Sequence, residues 1–420
     1  MRSAGAALCT PARSRPRPRT RSCHTTRPNR RRPGVPRAPL PAHERQVFRS
    51  GHPASRALPA GRGADTHRVA PTLDLIVQPR VAATASLAAD RLLLAEAART
   101  QQGVLRVFEL EGEVLSLGRY HLAPPPVPGG AVQRWRRHSG GRAFPAGEGF
   151  LGLSLVLSHR SAIVGDDPFA LAPEQVMNRY VRGILEGLRL VGVAAFYPGR
   201  DLVTVDGRPL GLVAFEVDRA GALLFEAIVA NGRDPSVLPG LLERADPGGL
   251  VTAAMLTPDA VTSIHRVRGG ALGVDELAES LRRGYEERLA VTFQRRDFSA
   301  EETRGLEAAA IEENSGASWL GQRVPRAELD RHGSITTQLG VLEAHFALDG
   351  DRIREIVFAG DFIANSLAIE RLERELRGAP AEAGAVEAVT RAIFGRPDNF
   401  LLGAGPLRTV ADAVARGLPP

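Results

Sequence analysis

Leu202-Val-Thr-Val-Asp-Gly-Arg-Pro-Leu-Gly-Leu-Val-Ala-Phe-Glu-Val217 is the stretch whose reading decides the fold. Asp206-Gly207 suits the positive dihedral angles of a tight primed turn, so 202–205 and 208–217 read as the arms of a hairpin. A third strand, 223–230, follows Gly221. Consecutive hairpins imply an antiparallel or mixed sheet rather than a doubly wound parallel one.

Working outward, Pro173 opens a helix to Leu190 with Val176, Met177, Tyr180, Val181, Ile184, Leu185 and Leu188 on one face. Upstream, 73–77 reads as a strand and 86–98 as a helix. The runs 104–110 and 114–117 read as strands paired around a Glu-Gly turn, and 153–158 as a further strand. Downstream, a helix spans 274–289, and polar residues accumulate at 298–303. Then follow a strand at 338–348, an Asp349-Gly350 turn, a strand at 352–358 and a helix at 366–377 that stops at Gly378. The expected class is α+β: a mixed, largely antiparallel sheet with helices over 71–300, and a small α+β accessory domain over 301–420.

Residues 1–70 interleave ten prolines with 16 arginines against only Glu44 and Asp65, too little apolar surface to offset ordering entropy. This segment reads as a disordered tail. It is either an organelle-targeting leader or the product of a start codon placed ahead of a protein that begins near Val69; the second reading is favoured, because proline spoils an amphipathic helix. The tail carries +14 of the chain's net +7, so 71–420 carries −7. Basicity is therefore no argument for a nucleic-acid partner of the folded part.

All 54 basic residues are arginine. Without lysine there is no Walker phosphate loop, no pyridoxal-phosphate Schiff base and no kinase strand lysine. The two cysteines, Cys9 and Cys23, lie in the tail, which argues against a disulfide scaffold, a cysteine-rich zinc site and a cysteine nucleophile. No apolar run reaches the roughly 18 to 20 residues of a membrane span. A soluble, cytoplasmic protein with no membrane partner is expected.

The densest run of chemically distinctive residues is Arg134-Trp-Arg-Arg-His-Ser-Gly-Gly-Arg-Ala143. Adjacent glycines let backbone N–H groups approach a ligand, and flanking guanidiniums suit a carboxylate or phosphate. The alternative is an arginine-rich surface turn. Gly147-Glu-Gly-Phe-Leu-Gly152 satisfies the dinucleotide pattern G-x-G-x-x-G but runs into an alternating strand instead of opening a helix, so it is rejected as a nicotinamide site. No Gly-x-Ser-x-Gly elbow marks a serine hydrolase. His121, His138, His159, His265, His332 and His345 show no metal-ligand spacing, and only His138 adjoins the candidate segment.

Arg136-Arg-His-Ser-Gly-Gly-Arg-Ala143 resembles the Arg-Arg-x-Ser/Thr-Gly-Gly-Gly/Arg-Ala element of the lipoate-protein ligases and related octanoyl transferases. Other blocks follow in that family's order. Ser86-Leu-Ala-Ala-Asp90 resembles its Asn-Leu-Ala-x-Glu helix, Leu115-Ser-Leu-Gly-Arg-Tyr120 its strand ending in Gly-Arg, and Gly199-Arg-Asp-Leu202 its Arg-Asn-Asp-Leu/Ile block. Arg208-Pro-Leu-Gly211 falls on Lys-Ile/Val-Ser-Gly, while Ser318-Trp-Leu-Gly321 and Gly360-Asp-Phe-Ile363 are similar to Trp-x-x-Gly and Gly-Asp-Phe-Phe. Coverage runs from about residue 71 to the C-terminus.

The resemblance implies the fold shared with biotin ligases. It also implies that ATP and Mg2+ join a lipoate or octanoate carboxylate to AMP, before the acyl group passes to a lysine of a lipoyl acceptor domain. Such domains belong to 2-oxoacid dehydrogenase complexes or the glycine-cleavage carrier protein. By resemblance, Arg136, Arg137, Ser139, Gly140, Gly141, Arg142, Ala143, Asp201 and Gly211 would line the substrate and nucleotide site. Asp201 would stand near the metal, and Arg208 would take the catalytic lysine's place. Arginine keeps that charge on a bulkier planar fork. Pro209 beside it removes a strand donor, which points to a sheet edge or bulge. Ala146 replaces the family's histidine, Leu210 its serine, and Phe225-Glu226 a histidine-containing pair. These departures leave two alternatives beside the ligase: a non-catalytic lipoyl- or nucleotide-binding member of the fold, and an ATP-independent acyltransferase.

Overall fold

The computed structural model describes residues 70–123, 132–245, 256–314, 317–320 and 322–419. The tail reading over 1–69 and Gly321 of the Trp-x-x-Gly block lie outside the described residues. Residues 67–420 form one compact unit. Its first elements are strand β1 (Thr72–Val81), helix α1 (Ala83–Thr100), β2 (Val104–Leu110), β3 (Glu113–Leu117), β4 (Gln133–Arg136), β5 (Phe144–Gly147), β6 (Phe150–Leu157) and α2 (Pro173–Leu190). The hairpin β7 (Leu202–Val205) and β8 (Arg208–Val217) follows, then β9 (Leu223–Ala230), α3 (Leu238–Ala245), α4 (Ile264–Arg268), α5 (Val274–Leu289) and β10 (Thr292–Arg295).

Seven strands form one sheet in the order β10-β1-β2-β6-β9-β8-β7. β10, β1 and β2 run parallel, and every later pair is antiparallel. The hairpin that decides this arrangement turns as its sequence demands, with Asp206 at φ 51° and Gly207 at φ 76°. Thr204 faces Pro209 after a register shift at Val203/Thr204, so Pro209 sits at a bulge beside the edge strand β7.

One expected pairing is corrected. β2 does not pair with β3, because both its edges are taken by β1 and β6; β3 joins a second sheet in the order β4-β3-β5. Gly112, at φ +71°, turns the chain out of the large sheet, and its carbonyl accepts the N–H of Glu148.

Helices α2 and α5 cover one face. Val176, Tyr180, Val181, Ile184 and Leu188 of α2 are buried there, and a fully buried aliphatic side chain of this kind contributes about 1.5–3 kcal/mol. The two helices approach closely because Gly183 and Gly284 carry no Cβ: one on Gly284 would lie 2.4 Å from the Gly183 carbonyl oxygen. Helix α1 covers the other face.

The remaining chain forms α6 (Ala300–Asn314), α7 (Ala317–Leu320), β11 (Arg331–Thr336), β12 (Val341–Asp349), β13 (Arg352–Gly360), β14 (Ile363–Ala364), α8 (Ser366–Glu375), α9 (Ala383–Phe394), β15 (Leu401–Leu402) and α10 (Arg408–Arg416). β11, β12 and β13 make an antiparallel sheet, and the apolar core beneath it takes in residues of α8, α9 and α10. Tyr120 from the first half joins this core, while Leu339, Ile363 and Phe400 from the second half join the main one. The anticipated boundary at 300/301 falls at the start of α6. No helix among the described residues is long and apolar enough to cross a membrane.

Candidate functional site

Strands that are otherwise apolar carry a polar row across the centre of the large sheet. Arg106 of β2 stands opposite Ser154 of β6, Ser154 opposite Glu226 of β9, and Glu226 opposite Ala214 of β8. Period-two alternation places Phe225 on the other face, its ring 6.0 Å from Tyr180. Helix α1 lies over the row. Arg106 donates to Asp90 Oδ1 at 3.1 Å, to Ser86 Oγ at 3.0 Å and to Gln78 Oε1 at 2.6 Å.

Burial pushes the Asp90 carboxyl above its ordinary pKa, and the Arg106 charge pulls it back. Burial, reinforced by Asp90, raises Glu226 to about 7, opposed by Arg137 and Ser139. Glu226 Oε2 accepts the Ser139 N–H at 2.7 Å. Glu216, on the same face of β8, is also raised to about 7 by burial, and its Oε1 accepts from both the N–H and the hydroxyl of Ser366.

A crevice of about 230 Å³, too narrow for a water, runs along this face between Phe108, Trp135, Arg137, Leu212, Glu226 and Ile228. Trp135 Nε1 and Arg137 Nε, on residues that line it, are buried without a hydrogen-bond partner. Such orphaned groups are rare in folded proteins, which makes this face the candidate centre of the molecule's chemistry.

The arginine–glycine segment packs over the crevice, and its donors are largely committed. Arg136 donates to the carbonyls of Arg119 (2.8 Å), His121 (2.6 Å), Leu320 (2.9 Å) and Arg323 (3.1 Å). Arg137 donates to Ser116 Oγ (2.7 Å) and to the carbonyls of Gly140 (3.0 Å) and Arg142 (2.9 Å). Burial lowers both guanidiniums to about 10. In this arrangement these two residues hold loops together.

The glycines likewise serve backbone crossing. A Cβ on Gly140 would lie 2.2 Å from the Phe362 carbonyl oxygen, and one on Gly118 would lie 1.9 Å from that of Gly141. Gly141 donates its N–H to Phe362 O at 2.8 Å. Ala143 is half-buried against the small sheet's apolar cluster.

Arg142 forms a bidentate pair with Asp201, Nε to Oδ2 at 2.6 Å and Nη2 to Oδ1 at 2.9 Å. Burial raises the Asp201 carboxyl, and Arg142 opposes the rise. Each Asp201 oxygen accepts one Arg142 N–H in this arrangement, so a magnesium ion there would have to share the carboxylate with that guanidinium. Gly211 lies opposite Val203 and Val229 in β8, where a Cβ would approach the Ile228 carbonyl oxygen to 2.7 Å. Arg208 opens β8 at the hairpin tip with its guanidinium 43% exposed, 3.9 Å from Asp206. Four residues separate it from Leu212 on the crevice, roughly 13 Å of strand.

Two C-terminal blocks reach the same place. Trp319 donates Nε1–H to the Arg136 carbonyl at 2.9 Å, and its ring lies 4.8 Å from that of His138. Burial, then Arg119, depresses His138 to about 3, so it is neutral at ordinary pH. Phe362 stacks on Tyr120 at 4.4 Å, and Asp361 pairs with His121 at 2.8 Å.

Sequence reasoning gave no role to Arg106, Ser154 or Trp135, and met Glu226 only as a replacement. The signal was present, because Ser154 and Glu226 are each the lone polar residue of an apolar strand and Arg106 stands between apolar neighbours in another.

No protein-family model and no curated protein sequence matches the chain. Among solved structures, P. falciparum LipL1 in complex with lipoate is 12% identical, with 81% of this chain and 98% of that one covered at a TM-score of 0.59. A bipartite lipoate protein ligase from Thermoplasma acidophilum, described with its E2 lipoyl domain, is 18% identical, covering 60% and 98% at a TM-score of 0.50. The chain thus has the fold of the lipoate-protein ligases, and the mixed α+β class read from the hairpins is the observed one.

Proposed function

We propose that this chain is a lipoate-protein-ligase-like enzyme that activates lipoate or a short fatty acid with ATP and delivers the acyl group to a lysine of a lipoyl acceptor domain. One observation carries the reading: Arg137 and Glu226 line a crevice in a ligase fold, and the arginine–glycine segment beside it is held by Ser139 on Glu226, by Trp319 on Arg136 and by Phe362 on Gly141. The acid's carboxylate oxygen attacks the α-phosphorus of ATP and pyrophosphate leaves. The acceptor lysine amine then attacks the acyl carbon, AMP leaves, and the amine's proton passes to solvent or phosphate. The first step brings two anions together, and in the second negative charge develops on the acyl oxygen and the departing AMP, so fixed positive charge lowers both barriers. Arg208 is the exposed cation at the strand end and is assigned that role. Admission of an acyl chain requires the crevice to widen, with Phe362 moving off the glycine turn.

The expected outcome is lipoyl-adenylate, detected by mass spectrometry of the full chain with lipoate, ATP and Mg2+. Arg208→Ala should reduce its formation by about 10²- to 10³-fold, as removal of one transition-state donor does elsewhere. A second reading, a non-catalytic binding member of the fold, is favoured by the closed Arg142–Asp201 pair and the Gly141–Phe362 contact. Lipoate binding by calorimetry with no adenylate would replace the first reading by the second.

A further inference from the structure

The sheet register brings together three side chains that their sequence spacing keeps apart. His332 of β11 stands directly opposite His345 of β12, and Glu343, two residues before His345, shares their face. One ligand atom from each lies within 4.8 Å of the others. Glu343 Oε2 is 3.1 Å from His345 Nε2, Glu343 Oε1 is 3.8 Å from His332 Nε2, and the imidazoles stack at 4.5 Å.

We propose that His332, Glu343 and His345 form a binding site for a borderline divalent transition metal such as zinc. The site is independent of the acyl-transfer reading. Zinc takes imidazole nitrogen at about 2.0–2.1 Å and carboxylate oxygen at similar length, so tetrahedral ligand atoms stand about 3.3 Å apart. The Glu343–His345 separation already meets that distance and the His332–Glu343 separation exceeds it by little, so small side-chain rotations complete three ligands. Two imidazoles with one carboxylate favour zinc, copper or nickel over magnesium or calcium. His332 is 50% exposed, which leaves a fourth position open to water or an outside ligand. His121, which pairs with Asp361 at 2.8 Å, also bears electrostatically on Glu343. Behind the site, the opposite face of β12 presents Leu342, Ala344 and Phe346 to the C-terminal core. A bound ion would tie the edge strand β11 to β12.

The test uses the full chain, whose tail also holds Cys9, Cys23 and histidines, so two readouts specific to the folded unit are chosen. Thermal unfolding with zinc should rise by a few degrees at 100-fold excess over Kd, with no rise in magnesium. Cobalt(II) should give a tetrahedral visible spectrum without a thiolate band. His332→Ala and the near-isosteric Glu343→Gln should each weaken the zinc-induced shift by about tenfold in apparent affinity, while His265→Ala leaves it unchanged. An absent zinc shift, or an equal one in wild type, His332→Ala and Glu343→Gln, overturns the proposal.

Discussion

Glu226 sits where an ionised carboxylate is costly, with Asp90 beside it and burial holding its pKa at about 7. In the unfolded chain the same group titrates near 4.5, so the stability it contributes is full below that value and is lost as pH rises through 7. Each pKa unit is worth about 1.4 kcal/mol, so the loss between pH 5 and pH 8 is on the order of 2–3 kcal/mol. Glu226→Gln keeps an acceptor for the Ser139 N–H and removes the titration. Urea unfolding should therefore show the variant gaining on wild type by about that amount between pH 5 and pH 8; parallel curves would mean that Glu226 does not titrate in this range. Glu216, raised to about 7 as well, gives both proteins a residual slope of the same sign.

At the scale of elements, the glycine turn and the segment after β13 hold one another by backbone contact. Gly140→Ala drives a Cβ to 2.2 Å from the Phe362 carbonyl oxygen and 3.0 Å from the Ile363 Cα, atoms that cannot rotate away. Overpacking of this kind costs about 1–3 kcal/mol. Gly240 in α3 has nothing within 4 Å of the same added atom, so Gly240→Ala should be neutral or stabilising. Equal denaturation midpoints for the two variants would contradict this account of the turn.

Elements governed by local chemistry were legible in the sequence. Asp206-Gly207 dictates its hairpin, and the apolar stripe of α2 dictates its buried face. The partner of β2 was not, because strand choice depends on edges supplied by β1 and β6, one of them more than 40 residues downstream. The site divides in the same way. Arg142, Ser139 and Asp201 could be singled out from their blocks, whereas the polar row Arg106–Ser154–Glu226 exists only once three strands align. Two arginines that looked like ligand groups turned out to bind carbonyls, since a sequence shows the charge and not the loops it must hold.

For the molecule as a whole, the Phe362 carbonyl on the Gly141 N–H and Ile363 in the main core seat the C-terminal segment on the glycine turn. Under the proposed function, access for an acyl chain would be coupled to movement of residues more than 200 positions away in the chain, and crevice opening and the seating of this segment would become one equilibrium. A ligand that favours the open form must overcome these backbone and apolar contacts.

The chain's two tryptophans, Trp135 and Trp319, both belong to this centre. One lines the crevice, and the other lies on His138 with the Arg119 guanidinium 4.9 Å from its ring. Indole emission from the unlabelled protein is therefore a local optical gauge rather than an average over the molecule. Addition of lipoate should change its intensity or wavelength in stopped-flow mixing, and Trp319→Phe should report which part of the signal comes from the indole on His138. The time course would read the opening of the crevice directly, in a protein that needs no dye.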